Sequence, residues 1–162
     1  MKPRISHKNT PQLFLRAREN LMAHFRPILS HFQLTDQQWR ILRALDEHEQ
    51  LEPRELCELC QILSPSMTGV LARMDEAKLI QRQRTPEDQR RVVVKLAKKG
   101  NQLIDEIAPL IDLQYKNIEK VIGKEALEKL AKTLESFLSN ESALIEHIDL
   151  SEHPYGSQQT KN

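Results

Sequence analysis

The segment Gln81–Gly100, QRQRTPEDQRRVVVKLAKKG, constrains the fold more than any other part of the chain. Ile80–Thr85 and Arg91–Leu96 read as two short strands, Val92-Val93-Val94 being the clearest β-branched run. Pro86, Glu87, Asp88 and Gln89 form the turn between them: proline fixes φ, and an aspartate bonds its own backbone two residues on. Residues 81–99 carry seven basic and two acidic side chains, net +5. A narrow arm tipped with guanidinium groups fits a phosphate-lined groove, whereas a merely solvated hairpin needs no such concentration of charge.

The residues before this hairpin sharpen the reading. Ser64-Pro65 is a helix start, Ser64 as N-cap and Pro65 at the first helical position, where its missing N–H is harmless. The helix SPSMTGVLARMDEAK then sets Met67, Val70, Leu71 and Met74 on one side, with Ser66, Thr68, Gly69 and Arg73 on the other. Hydroxyls in the first turns reach phosphates or base edges, Gly69 permits close approach, and Arg73 can bind a guanine or a phosphate. Any amphipathic helix has a polar face, so this helix alone carries little. Helix plus basic wing, joined by a short link, is far more specific.

The remaining chain reads as helices. Apolar residues from Pro11 to Phe32 keep helical spacing, with Pro27 kinking or locally breaking the segment. Thr35-Asp36-Gln37-Gln38 is a capping box opening a helix with Trp39, Ile41, Leu42 and Leu45 that ends near His48. Pro53 starts the next helix, with Leu56, Leu59, Cys60 and Ile62 turned inwards. After the hairpin a long helix runs from Lys98 to Ile122, bent at Pro109, and Gly123 separates it from KEALEKLAKTLESFL. A last apolar set, Leu144, Ile145 and Ile148, precedes a polar tail. About six helices surround the hairpin, and those flanking it carry more apolar surface than so small a module covers. A second copy of the chain is the economical cover, and two copies present two reading helices about one turn of DNA apart.

The net charge of +1 hides a strong segregation. Residues 1–43 hold eight basic and two acidic groups, 44–80 three and eight, and 100–162 six and eleven. Positive charge is confined to the N-terminal region and the wing, giving a focused basic face. With 162 residues, 39% hydrophobic and four glycines, the chain is long enough for a real core of helices with short connections.

Other chemistries find little support. No apolar run approaches a membrane span and no signal peptide is visible, which points to the cytoplasm. There is no nucleophile elbow, phosphate-binding glycine loop or paired carboxylate site, so neither an enzyme nor a cofactor is expected. Cys57-Glu58-Leu59-Cys60 lacks the second ligand pair a zinc site requires, and His7, His24, His31, His48, His147 and His153 show no metal spacing. Cys60 lies on an apolar stripe, which favours packing; the competing reading is oxidant sensing through Cys57 and Cys60.

The order of two helices, helix-turn-helix, wing and two long helices, with Asp88-x-Arg90 followed by Leu96 and Gly100, resembles the MarR family of bacterial transcriptional regulators over residues 10 to 148. One departure is Ala97, where the family often has a threonine whose hydroxyl caps the long helix. Within the family, FRPILSHFQLTDQQWRILRAL and LSPSMTGVLARM are similar to the repressors of 4-hydroxyphenylacetate (homoprotocatechuate) degradation.

The resemblance implies a mainly α fold with a small β-hairpin, a winged helix-turn-helix plus a helical dimerisation domain. Residues 1–34 and 98–150 would form the dimerisation region, 35–97 the DNA-binding domain and 151–162 a flexible tail. It implies a homodimeric repressor of an aromatic-acid catabolic operon, bound to a palindromic duplex and released by an aromatic carboxylate; hydroxycinnamates or benzoates are alternative effectors. Arg90 would enter the minor groove, Arg84 or Arg91 would hold phosphate, Arg54 is a further phosphate candidate, and Asp88 would orient the wing by pairing with an arginine. An aromatic carboxylate needs a cation and flat walls. Arg16, His24, Arg40 and Arg43 are the candidate cations and Phe25 and Trp39 the candidate walls, Trp39-Arg40 being the leading pair.

Overall fold

The structure, a computed structural model, describes residues 4–85, 88, 90–139, 145–151 and 153. Its elements are α1 (Thr10–Ala23), α2 (Arg26–His31), α3 (Asp36–His48), β1 (Gln50–Leu51), α4 (Pro53–Cys60), α5 (Ser64–Glu76), β2 (Ile80–Arg84), β3 (Val92–Leu96), α6 (Lys98–Ile122) and α7 (Lys124–Ser139). They form two compact units that divide after Asn117, within α6.

In the first unit, local chemistry sets the helix ends. Asn9 caps α1 by accepting the Gln12 N–H at 3.1 Å. The expected break falls at His24-Phe25, just ahead of Pro27, so the first segment is two helices and the described residues hold seven rather than six. The Thr35 capping box is present in both directions, with Gln38 N–H donating to Thr35 Oγ1 at 3.2 Å and Thr35 N–H to Gln38 Oε1 at 2.9 Å. Two expectations need correction. Leu63, not Ser64, is the N-cap of α5 and no side chain caps it; Ser64 is already helical, and Pro65 sits one position later, where its missing N–H still lacks an intrahelical role. Leu59 is exposed, because α4 has only eight residues and its inward line is taken by Leu56 and Cys60, four apart.

The sheet has the order β1-β3-β2, all antiparallel. The hairpin register pairs Ile80 with Leu96 and Arg84 with Val92, one residue shorter at its turn end than the sequence suggested. The two-residue β1 pairs Gln50 with Lys95 and Leu51 with Val94, a strand too short to leave a period in the sequence. Pro86, Glu87 and Gln89 of the turn, and Leu144 of the last apolar set, lie outside the described residues.

The core gathers Ile41, Leu42 and Leu45 of α3, Leu56 of α4, Met67 and Met74 of α5, Ile80 and Val94 of the sheet and Ile107 of α6, all essentially without solvent exposure. Each such side chain contributes about 1.5–3 kcal/mol of burial. Gly100 permits the tightest contact: a Cβ there would lie 2.0 Å from the Leu79 carbonyl oxygen, which accepts the Ala97 N–H at 3.0 Å. The start of α6 is thereby held against the base of the wing.

In the second unit, α6 ends at Ile122, Gly123 follows with a φ of +95° that suits glycine, and α7 begins at Lys124. Large apolar side chains are exposed on three helices: Leu13 and Leu15 on α1, Leu110 and Leu113 on α6, and Leu130 and Leu138 on α7. No helix among the described residues is long and apolar enough to cross a membrane.

Candidate nucleic-acid interface and cavity

α4 and α5 form a helix-turn-helix whose chain reversal is at Gln61, in the left-handed conformation (φ 50°, ψ 52°). Met67, Val70, Leu71 and Met74 of α5 are buried as the apolar spacing predicts, leaving Ser64, Ser66, Thr68 and Arg73 exposed. Arg73 folds back over Gly69, its Nη1 3.4 Å from where a Cβ would stand. A groove of about 430 Å³ runs between α4, α5 and β2 past Arg54, Thr68 and Arg82.

The basic residues fall into two groups. Arg82 Nε donates to Asp75 Oδ2 at 3.0 Å, tying β2 to α5. Arg91 is gripped by Glu52, Nε to Oε1 at 2.9 Å, and this hydrogen bond raises its pKa further above the ordinary arginine value. Arg54 pairs with Glu58 one turn on at 3.2 Å, both well exposed, so the pair is weak. Arg73, Arg84 and Arg90 form no ion pair among the described residues, and all three are exposed. Arg91 is thus tied to Glu52, whereas Arg84 is tied to no carboxylate among the described residues.

Asp88 holds the turn through backbone hydrogen bonds, and its carboxylate also acts electrostatically on Arg91. Its Oδ1 accepts the Arg90 N–H at 2.9 Å, its carbonyl accepts the Arg91 N–H at 3.0 Å, and Thr85 Oγ1 donates to the same carbonyl at 2.8 Å. The carboxylate is thus engaged within the turn, and Arg90 is exposed. Gln89 lies outside the described residues.

A second concavity, of about 300 Å³, opens between α1, α3 and α6. Phe25, Trp39 and Tyr115 give it aromatic walls, Phe25 and Tyr115 with ring centroids 4.7 Å apart and tilted by 51°. Leu21, Met22 and Ile111 add apolar surface, and Arg18, Arg40, Arg43 and Glu47 line it with charge of both signs. The Arg43 guanidinium lies 6.0 Å from the Trp39 ring centroid and donates to Glu47 at 2.6 Å. Arg40 Nη1 donates to the carbonyls of Cys60 and Gln61, the latter at 3.4 Å, while its Nε is buried without a hydrogen-bond partner. Of the candidate ligand residues the cavity unites Phe25, Trp39, Arg40 and Arg43. Arg16 lines a separate hollow with Gln12 and Glu19, and His24 is exposed at the end of α1. Tyr115 and Arg18 went unremarked in the sequence. The spacing Ile111-Tyr115-Ile118 on one helical stripe was the available signal for the tyrosine.

Cys57 is half-buried and Cys60 buried, both free. Burial pushes the Cys60 thiol above its ordinary pKa, partly offset by Arg40, so the reactive thiolate is disfavoured at neutral pH. No group of three or more metal-ligating side chains occurs among the described residues.

A three-stranded wing packed on a helix-turn-helix defines a winged-helix DNA-binding protein. Residues 32–91 match the model of the MarR family. The HTH-type transcriptional regulator FarR of Neisseria gonorrhoeae is 43% identical over 130 residues, 80% of this chain and 89% of that protein. The homoprotocatechuate degradative operon repressor of Escherichia coli is 36% identical over 133 residues, 82% and 90% of the two chains. The crystal structure of NadR in complex with 4-hydroxyphenylacetate is 40% identical, with a TM-score of 0.78, covering 87% of this chain and 100% of that one. The chain belongs to the MarR family of transcriptional regulators and is not an enzyme.

Proposed function

We propose that the protein is a homodimeric repressor of an aromatic-acid catabolic operon, released from a palindromic operator by an aromatic carboxylate of the 4-hydroxyphenylacetate or homoprotocatechuate type. The division of labour among the arginines carries the DNA-binding half. Arg82, Arg91 and Asp88 brace the wing, while Arg73, Arg84 and Arg90 remain uncommitted where a duplex would lie. Ser64, Ser66, Thr68 and Gly69 then face base edges or phosphates from α5, and Arg54 adds a phosphate contact at the start of α4. The exposed leucines of α1, α6 and α7 support pairing with a second copy, whose symmetry matches a palindrome. On this reading residues 1–34 and 98–150 serve dimerisation and 35–97 read DNA.

The cavity supports the effector half. Trp39, Phe25 and Tyr115 suit an aromatic ring, and Arg43 and Arg40 supply positive charge for a carboxylate. That two of the similar proteins are named for homoprotocatechuate degradation and for a complex with 4-hydroxyphenylacetate supports the same ligand class. Oxidant sensing through Cys57 and Cys60 is disfavoured by the buried, proton-retaining Cys60.

The test is an anisotropy titration of the protein against a labelled palindromic duplex from its own upstream region, with and without 4-hydroxyphenylacetate. Salt-sensitive binding weakened by the acid is the expected result. Binding indifferent to aromatic acids but abolished by peroxide would overturn the effector assignment, and no duplex binding would overturn the whole reading.

A further inference from the structure

Glu52 is an acidic residue where a DNA-reading surface has least use for one. It is the N-cap of α4, its own N–H donating to Glu55 Oε2 at 2.6 Å and its carbonyl accepting the Leu56 N–H at 3.0 Å. It also follows β1 directly. Leu51 pairs with Val94 in antiparallel register, so the chain leaves β1 alongside the first residues of β3, which Arg91 immediately precedes. Nε and Nη2 of Arg91 both donate to Glu52 Oε1, the former at 2.9 Å. The neighbouring cations in sequence, Arg54 two residues after Glu52 and Arg90 just before Arg91, are exposed. A bare carboxylate among them repels a phosphate-lined groove. Held against Arg91 it is neutralised, and Arg91 is neutralised with it.

We propose that Glu52 is a specificity-determining residue: it occupies Arg91 in place of a DNA phosphate, ties the wing to α4, and denies the protein one sequence-independent contact. The proposal rests on the DNA-binding reading above and deepens it. A phosphate contact adds affinity for every sequence alike and carries no base information. An exposed ion pair is usually weak, because ordering two long side chains costs entropy. That cost is reduced here. The Glu52 backbone is pinned between β1 and α4, its side chain is only 32% exposed, and two donors of one rigid guanidinium converge on a single oxygen. The pair Arg54–Glu58 has none of these advantages, with side chains 90% and 68% exposed, so Arg54 exchanges its partner for a phosphate readily. Glu52 and Glu58 therefore act differently on the arginines they meet.

The experiment titrates the full chain against two labelled duplexes, the palindromic one and one of unrelated sequence, over about 50 to 200 mM salt. In Glu52→Gln, log Kd for the unrelated duplex is expected to climb with log salt more steeply, by about 0.9 for each wing engaged. The preference for the palindrome falls at the same time, since the wing has lost its tie to α4 and gained a contact blind to sequence. The Arg91→Ala background separates this from the mere removal of a negative charge: there, Glu52→Gln adds nothing to the slope. Glu52→Ser, which places a favoured residue at the helix start, takes over if the glutamine variant does not fold by circular dichroism. A wild-type slope in a folded Glu52 variant, or a steepening that persists without Arg91, would overturn the proposal and leave the DNA-binding reading standing. Absence of duplex binding in the wild-type protein would overturn both together.

Discussion

Gly100→Ala tests how the wing is attached to α6. The new Cβ would lie 2.0 Å from the Leu79 carbonyl oxygen, where such carbon–oxygen contacts rest at about 3.3 Å. The oxygen has nowhere to go. It already accepts the Ala97 N–H at 3.0 Å, and its residue leads directly into β2. Relief requires the first turn of α6 and the base of the wing to separate by roughly 1 Å, the kind of overpacking that costs about 1–3 kcal/mol, taken here at its upper end because the obstacle is backbone. Losing the hydrogen bond adds about 1 kcal/mol. Alanine returns about 1 kcal/mol of helix propensity, leaving a net destabilisation of about 3 kcal/mol. For a chain of this size that is a drop of about 6–12 °C in Tm. The assay is thermal melting by circular dichroism at one protein concentration, so that self-association contributes equally to both proteins. Gly69→Ala is the internal control. Its Cβ would meet only the mobile end of Arg73 at 3.4 Å, and the helix gains about 0.5–1 kcal/mol. A Gly100→Ala protein melting within about 2 °C of wild type would refute the packing argument.

Arg90→Ala is expected to weaken duplex binding and flatten the salt dependence by about one phosphate contact, whereas Arg73→Ala costs about 1–3 kcal/mol at one base position if it reads a guanine; salt titrations on matched and substituted duplexes separate the two. Ala97→Thr supplies a hydroxyl ahead of Lys98, the first residue of α6, and should raise stability by about 1 kcal/mol in urea unfolding, an unchanged midpoint counting against a capping defect. The raised pKa of Cys60 means the folded state keeps a proton that the unfolded chain has lost, so its contribution falls as pH rises past the ordinary thiol range of about 8.5. Wild type should lose stability above that pH faster than Cys60→Ala, and iodoacetamide should label Cys57 first; the reverse order of labelling would contradict the burial of Cys60.

The elements that were legible in the sequence are those whose signals are local. Thr35 and Gln38 carry their reciprocal hydrogen bonds within four residues, and Met67, Val70, Leu71 and Met74 bury themselves on a 3.6-residue period that no distant contact alters. The strand β1 escaped because its two residues exist as a strand only through Lys95 and Val94, more than forty positions away. Leu59 misled for a related reason: an apolar residue near an apolar stripe reads as core, and only the length and end of α4 decide which way it turns.

For the site, sequence could gather cations but not tell which were already engaged. Arg82 and Arg91 read the same as Arg84 and Arg90 along the hairpin, yet Asp75 and Glu52 hold the first two in ion pairs. The same holds on α3, where Trp39, Arg40, Arg43 and Glu47 share one face by spacing alone. Arg43 meets Glu47 on its own helix, a partner the spacing foretells; Arg40 meets backbone carbonyls twenty residues on, which no spacing foretells. Charge alone would rank the two arginines as equals, and only the fold separates the one held by a carboxylate on its own helix from the one held by the backbone of the turn between α4 and α5.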